Sequence, residues 1–557
     1  MAEDVQDCLK KLKELREEVN WNIEKERRNF FDRFHQLASG WHGQLPNLRD
    51  ILSNEEIECL LMESYVYYTG GEAGNDADIT DDRYEEVVEF VARSGYKDEP
   101  NVVEGRPPLL RTTAIHRAGK LYHCVIHELF EIYDRYDLNY SDESGVTHFH
   151  IACLDDHCVD VVKRFLEHGQ DPDCPPREEW QKKPAVVVEP PLHLALNRCN
   201  FLVSEALLRG GADPNLASSR DGSTPLHIVC SSWNVELVEM FFGVCNELGR
   251  RMRVDARDWS GFAPLHLALI FGFKEAAELL LRNDADPNLA DGTGSTPLHY
   301  VCKKDEDLWR DDATFARMLF EISDEKHRPV RVDAVDSKGR TPQLAVATFL
   351  PNVVDLLLDR GADLSTFVFP TESQLDRGFQ EYENKLDRCR LRVISAALAI
   401  VENLEKRGYE LDRRNALTIA TFFAKHELFE KPRDFQERRW RASDEEFKAK
   451  KLTIKPGLTL LDLIRLRPEE EARRVSYMDY YEFARHRVLS ADKRDLRRAP
   501  RRDNSARILP TLGAGLFLGA DAPSTADSLL RDDRREADER GSVSRLLGRS
   551  AKLDLRR

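Results

Sequence analysis

Histidine and cysteine side chains occur in two close groups, and these are residue types that can hold a metal or carry out nucleophilic chemistry. The two groups comprise His123, Cys124 and His127, then Cys153, His157 and Cys158. Neutral imidazole and thiolate are the ligands that structural zinc sites prefer. A cysteine could also act as a nucleophile if a histidine lay within reach as its base. The two groups therefore raise two hypotheses, a zinc site and a catalytic thiol.

The spacing of the histidines favours a structural role over either hypothesis. His123 follows His116 by seven residues, and His157 follows His150 by the same seven. A short motif ending in histidine recurs along the chain, at His116, His150, His193, His227, His266 and His299. An active site needs a general base once, whereas a recurring histidine indicates a repeated structural hydrogen bond. No metal, cofactor or catalytic residue is therefore expected, and the chain is predicted not to be an enzyme.

The recurring motif is Thr-Pro-Leu-His or a variant of it. A threonine stands three residues before the histidine slot at Thr113, Thr147, Thr224, Thr296 and Thr341, and the last of these copies has leucine in that slot. Successive histidines are 34, 43, 34, 39 and 33 residues apart. Thr224 could cap a helix with its hydroxyl, and Pro225 suits the first helical position, where no N–H is needed. Each motif is thus expected to start a helix, with cysteine as a small apolar filler behind the histidine at Cys153, Cys230 and Cys302.

A second apolar run and a turn follow each motif. In one copy Leu279, Leu280 and Leu281 are followed by Asn283-Asp284 and then Ala285-Asp286-Pro287-Asn288. A period near 33 residues with this motif resembles the ankyrin-repeat family. The resemblance implies an all-α ankyrin-repeat solenoid of seven helix–turn–helix units joined by hairpin fingers, in which each unit buries its apolar face against its neighbours.

The repeats divide the chain into five predicted parts. They are an N-terminal helix over 1–37, a helical capping region over 38–105, ankyrin repeats over 106–370, a helical region over 371–490 and a tail over 491–557. The N-terminal helix is expected to dock on its own protein, with a short coiled coil as the alternative. The stretch 87–95 is similar to half a repeat and could cap the array, and 72–82 has loop composition. The tail is rich in Arg, Asp, Gly and Ser, so it is predicted to be disordered.

Residues 50–490 also resemble long ankyrin proteins of insects, known from parasitoid wasps. The segments that carry this resemblance include Tyr133-Asp134-Arg135-Tyr136 and the helical patterns at 391–401, 458–465 and 477–484. Those proteins end in a domain like the poxvirus PRANC domain. The resemblance implies a substrate receptor, whose F-box-like end joins a cullin–RING ubiquitin ligase while the repeats hold the target. The chain departs from that pattern beyond residue 490, where the charged run 493–502 stands in place of an F-box-like segment.

Composition limits the other partners. The net charge is −17, so the chain as a whole repels nucleic acid. The arginine-rich stretch 493–507 leaves nucleic-acid or chromatin association as the alternative function. No apolar run reaches the roughly 18 residues that a membrane helix needs. The eleven cysteines contain no C-x-x-C pair and the start of the chain is charged, which favours a reduced location in the cytoplasm or nucleus.

The expected binding surface follows from elimination, because stacking occupies the core positions of a repeat. The finger tips and the exposed sides of the first helices remain for a protein partner. Tryptophan and arginine are over-represented at binding hot spots. The candidate contact residues are Tyr140, Ser141, Trp180, Ser219, Arg220, Trp233, Trp259, Phe271 and Lys338. The alternatives are that Trp233 or Phe271 packs against a neighbouring repeat, and that Trp180 only anchors an insertion.

Overall fold

A computed structural model describes most of the chain between residues 2 and 490. The described residues are 2–69, 82–99, 110–121, 125–175, 188–303, 313–380, 386–426, 428, 453–459, 462, 470 and 473–490. They form two compact units, Met1–Ala277 and Glu278–Arg557. Trp180, His123, Cys124, nearly all of the predicted loop 72–82 and the tail 491–557 lie outside the described residues.

Among the described residues before the repeats, the first unit has a 3-10 helix (Leu48–Asp50) and four α-helices: α1 (Ala2–Glu17), α2 (Glu24–Ser39), α3 (Asn54–Thr69) and α4 (Asp82–Arg93). The prediction of a single helix over 1–37 is therefore wrong. The chain turns between α1 and α2, where the Glu26 carboxylate accepts a hydrogen bond from the Asn20 amide and the Asn20 side chain accepts one from the Asn22 amide. The turn lets α2 bury Phe30, Phe31 and Phe34.

Helix α4 contains the stretch predicted to be half a repeat. It packs against α2, α3 and the second helix of the first repeat. Phe90 of α4 lies between Phe34 and Trp41, with ring centroids 5.4 and 5.6 Å apart. The N-terminal helices of this unit therefore share one apolar core with the first repeat.

Each histidine motif begins a pair of helices, and we number the repeats 1 to 7 in chain order. The pairs that begin in the first unit are α5 (Ala114–Leu121) with α6 (Ile126–Ile132), α7 (His148–Ala152) with α8 (Val159–Glu167), α9 (Pro191–Asn197) with α10 (Phe201–Gly210), α11 (Pro225–Ser231) with α12 (Val235–Glu247), and α13 (Pro264–Ile270) with α14 (Lys274–Arg282). The first helices pack on one another in the order α5, α7, α9, α11, α13. Where the structure describes the connection, an extended finger leads from the second helix to the next motif.

The second unit holds the remaining two repeats. Repeat 6 has α15 (Pro297–Cys302) and α16 (Thr314–Glu325), whereas repeat 7 has a 3-10 helix (Pro342–Val346) followed by α17 (Pro351–Asp359). Three helices follow, namely α18 (Glu372–Gln380), α19 (Leu386–Lys406) and α20 (Arg413–Lys425). Helix α19 packs on α17, and α18 packs on α20, so the helical region continues directly from the last repeat.

A short hairpin and a final helix complete the described part of this unit. Strands β1 (Thr453–Lys455) and β2 (Leu458–Thr459) pair antiparallel, with Thr453 opposite Thr459. Helix α21 (Tyr477–Ser490) packs on both α19 and β1. The hairpin was not predicted, but the rest agrees with the predicted all-α fold. None of the described helices is both long enough and apolar enough to cross a membrane.

Candidate functional site

In repeats 1, 4 and 6 the motif histidine bonds within its own repeat through Nδ1 and to the following finger through Nε2. In repeat 4 the Thr224 amide donates to His227 Nδ1 at 3.1 Å, and Thr224 Oγ1 lies 2.8 Å from the same nitrogen. Because Nδ1 accepts an N–H, the ring proton is assigned to Nε2. That Nε2 donates to the Phe262 carbonyl of the following finger at 3.0 Å. The histidine therefore caps its own helix and holds the neighbouring finger in place.

The same arrangement recurs in other repeats of both units. His116 and His299 donate from Nε2 to the carbonyls of Val146 and Arg340 at 3.0–3.1 Å. Within the described part of the chain, His193 of repeat 3 makes only this second bond, to the Ser223 carbonyl at 3.0 Å, because Pro190 stands in the threonine slot and has no N–H to donate. In repeat 2 the Thr147 hydroxyl accepts a hydrogen bond from the His150 amide, as predicted for a helix cap. We call the bonded pair of motif threonine and histidine the Thr–His clamp.

Burial keeps the motif histidines neutral. It lowers the pKa of His150 to about 4, and it also lowers the pKa values of His193, His227 and His299. A protonated ring would have no lone pair on Nδ1 to accept the threonine amide. At His227, a neutral ring with both nitrogens bonded has no lone pair left for a metal ion or a substrate proton. These histidines are therefore structural elements of the repeat.

The motif cysteines are equally inaccessible. Cys153, Cys230 and Cys302 are completely buried, and burial raises the pKa of each thiol. A nucleophilic cysteine needs the opposite, a lowered pKa and solvent access. His157 of the second histidine–cysteine group is exposed and bonds to Asp155. Over the described residues, no three His, Cys, Asp or Glu side chains are grouped so as to hold a metal ion.

An Asp-x-x-Gly pattern, which was not predicted, shapes the finger tips. Asp142, Asp258, Asp291 and Asp336 stand five residues before the motif threonine slot, and each accepts hydrogen bonds from amides across its tip. The glycine three residues later has a positive φ, 82° at Gly261 and 77° at Gly294. The fixed spacing from the threonine slot was the available signal.

Neighbouring fingers are joined to each other at their tips. The Trp259 amide donates to the Asp221 carbonyl at 2.9 Å, and the Ser337 amide donates to the Thr293 carbonyl at the same distance. Gly222 lies under the Trp259 ring, where a Cβ would be only 2.5 Å from Trp259 Cδ1. The fingers that follow repeats 3 and 4 are also joined at their bases, because the Asn215 side chain bonds to the backbone of Arg251 and Arg253. These paired fingers present a fixed surface.

Most of the predicted contact residues are on the surface. The side chains of Trp259, Trp233 and Phe271 are 71%, 57% and 39% exposed. Ser219, Arg220 and Lys338 are also exposed at their finger tips. Trp233 and Phe271 were predicted on the first helices, but they lie in the turns that follow α11 and α13. Trp233 has a φ of 58° there.

The prediction that Tyr140 and Ser141 are exposed at a finger tip is wrong. They are 2% and 1% exposed. The Tyr140 ring packs edge-on against His148 and is covered by the Arg111 guanidinium. The Ser141 backbone pairs with Leu110 and with Thr147. The segment before repeat 1 therefore covers this finger.

Comparison with known proteins identifies the repeats. The family model for ankyrin repeats, in three copies, matches residues 192–291. NF-kappa-B inhibitor alpha of Mus musculus is 36% identical over 98 residues, which cover 18% of this chain and 31% of that protein. The probable 26S proteasome regulatory subunit p28 of Saccharomyces cerevisiae is 32% identical over 158 residues, 28% of this chain and 63% of that subunit. The chain therefore contains ankyrin repeats.

The similarity is limited to part of each relative. The E3 ubiquitin-protein ligase KEG of Arabidopsis thaliana is 24% identical over 49% of this chain, but this is only 16% of that ligase. The ankyrin repeat domain of Bcl-3 aligns with 40% of this chain at a TM-score of 0.32 and 23% identity. This chain thus spans less than two thirds of the length of each of these curated relatives.

Proposed function

We propose that this chain is a non-enzymatic protein-interaction scaffold, whose ankyrin repeats hold a protein partner against their finger tips and turns. The observation that carries the proposal is Trp259, which is 71% exposed although its backbone is hydrogen-bonded to the neighbouring finger. A tryptophan that is already held in place loses little conformational freedom when a partner covers it. The relatives containing similar repeats include an inhibitor and a proteasome regulatory subunit, which supports a binding role.

The surroundings of Trp259 suit a binding hot spot. Arg220 and Arg257 are exposed beside it, and neither guanidinium forms an ion pair with another described residue. Arginine and tryptophan together dominate the energetics of protein interfaces. The motif histidines and cysteines are buried inside the repeats and are not part of this surface. We therefore propose binding and not catalysis.

Affinity capture with the full-length chain and its Trp259→Ala variant tests the proposal. The Trp259 side chain is 71% exposed, so the variant should fold normally. The recovery of specific partners should fall about tenfold or more, as for a hot-spot residue. Val368→Ala is the matched control, because Val368 is an exposed apolar residue, 82% exposed, in the segment between α17 and α18. Equal recovery by both variants would contradict the proposed surface.

We further propose a substrate-receptor role for a cullin–RING ubiquitin ligase, in the cytoplasm or nucleus. Its support is the resemblance of residues 50–490 to PRANC-like ankyrin proteins, together with the ordered helices α18 to α21 that follow the last repeat. Capture of cullin adaptor proteins by the full chain, compared with a chain ending at residue 490, tests this role. Enrichment by the full chain alone would support it, and no enrichment would reject it.

A further inference from the structure

Exposed apolar residues are concentrated in the turns between the two helices of repeats 3, 4 and 5. We call this surface the turn edge, and it consists of Cys199, Leu202, Trp233, Val235 and Phe271. Helices α9, α11 and α13 pack side by side, and the Nε2 bonds of His193 and His227 to the following fingers join their N-terminal ends. Their C-terminal turns therefore follow one another along one side of the first unit.

The backbone at Trp233 indicates that this residue is kept for a purpose other than folding. Its φ of 58° lies in the left-handed region, where repeat 5 has Gly272 with a φ of 65°. A bulky residue in this conformation is strained, and such strain is common at binding sites. Because the Trp233 side chain is 57% exposed, its packing within the repeat offsets little of the free energy that the backbone strain costs.

Repeat 7 shows what covers an aromatic residue in this type of turn. Phe349 also has a φ of 58°, but it is only 2% exposed. Phe422 of α20 stacks on it, with ring centroids 5.4 Å apart and an interplanar angle of 24°. Helix α20 has the sequence RRNALTIATFFAK, which contains three basic residues and no acidic one. A basic amphipathic helix is therefore the cover that this fold already uses within its own chain.

The charges around the turn edge favour the same kind of cover. Glu236, Glu239 and Glu275 are exposed at the starts of α12 and α14. None of these three carboxylates forms an ion pair within the described part of the chain. Lys274 is half-buried beside them and Arg198 is exposed in the turn of repeat 3, so three carboxylates stand against two cations and the edge keeps an acidic balance. Opposite charges at the rim of an interface steer a partner and fix its register.

We propose that the turn edge binds a basic amphipathic helix of a partner protein, in the way that α20 covers Phe349 of repeat 7. The apolar face of the helix would cover Trp233 and Phe271, and its flanking lysines and arginines would face the three glutamates. This inference rests on the proposed scaffold function and names the kind of partner for one of its surfaces.

The test uses the full chain and a labelled, helix-stabilised peptide of residues 413–425 as the probe. The peptide should bind in a fluorescence-anisotropy titration, and Trp233→Gly in the protein should weaken binding about tenfold or more. Glycine suits the left-handed turn, so this variant keeps the fold. A Phe422→Ala peptide should lose binding to the same extent. Equal binding of the peptide to wild type and Trp233→Gly, or no binding at all, would overturn the inference.

Charge-reversal variants distinguish specific binding at the turn edge from nonspecific binding of the peptide. Glu236→Lys with Glu239→Lys should weaken the basic peptide severalfold and should favour a peptide carrying Arg413→Glu and Arg414→Glu. Unchanged preference for the basic peptide would count against the proposal, as would a Trp233-dependent dimer of the chain in sedimentation. If the peptide fails while captured partners still depend on Trp259, the inference falls and the scaffold function stands.

Discussion

Repeats 4 and 7 have the same plan but differ in the motif slot, in the first helical segment and in the turn between the two helices. Repeat 4 has His227 in the motif slot, an α-helical first segment and the exposed Trp233 in its turn. Repeat 7 has Leu344 in the slot, a 3-10 first segment and the covered Phe349 in its turn. Leucine cannot accept the Thr341 amide, so repeat 7 has no Thr–His clamp.

The difference shows two ways to stabilise one repeat. Repeat 4 is held by hydrogen bonds to the next finger, which leaves its turn free for a partner. Repeat 7 instead receives its stability from α18 to α20, whose residues Leu375, Ile419 and Phe422 line an apolar space with Phe349. This space has room for about one water molecule, so the packing is tight and forms no ligand pocket.

Acidification should give the largest difference in stability between the repeats that have a Thr–His clamp and repeat 7, which has none. The pKa of His150 is lowered to about 4, and that of His227 is lowered too, so the unfolded chain takes up protons first as pH falls below the unfolded value of 6.5. The stability that neutral His150 contributes is present above that pH, and about 3 kcal/mol should be lost by pH 4. Hydrogen exchange corrected for intrinsic rates should show repeats 2 and 4 opening before repeat 7. Earlier opening of repeat 7 would contradict the clamp.

Phe349→Gly should be nearly as damaging. It removes the ring that stacks on Phe422, and Phe-to-small changes in a core cost about 3–5 kcal/mol, from which relief of the left-handed strain returns about 1 kcal/mol. Urea denaturation measures the change. Phe349→Leu is the control, because it keeps an apolar side chain in the strained turn. A Phe349→Gly protein as stable as wild type would show that the covering helices do not depend on this contact.

His227→Leu copies the motif slot of repeat 7 into repeat 4. It leaves the Thr224 amide and the Phe262 carbonyl without their partner, at a cost of about 2 kcal/mol or more. The loss should appear in the urea midpoint at pH 7 and should shrink as pH falls, because proton uptake by His227 in the unfolded wild-type chain then removes part of the stability that the clamp contributes. Val229→Leu, a nearby core change with no clamp, should lack this pH dependence.

Trp233→Gly should have the smallest effect and the opposite sign to Phe349→Gly. Glycine adopts the turn conformation without strain, so stability should rise by up to about 1 kcal/mol. Thermal unfolding of the two glycine variants side by side is the measurement. A marked loss of stability in Trp233→Gly would mean that the indole is part of the core.

The repeated framework could be predicted from the sequence because the motif histidines and threonines recur at regular spacing. That spacing reflects contacts that these residues make inside a repeat and with the neighbouring repeat. The clamp roles of Thr224 and His227 belong to this class. Tyr140 was misplaced because its cover comes from Arg111 and from His148, which stands in the proline slot of its motif. The docking of Phe422 on Phe349 depends on tertiary packing that no local period encodes. The left-handed backbone at Trp233 was missed because a tryptophan occupies the position where repeat 5 has glycine.

The central claim is that the clamps hold the repeats while the exposed aromatic residues bind a partner protein. Hydrogen-exchange mass spectrometry of the full chain, with and without a captured partner, tests it most directly. We expect new protection in the finger around Trp259 and in the turn at Trp233, with the clamp amides already slow in the free chain. Protection confined to other surfaces, or clamp amides that exchange fast without a partner, would contradict the account.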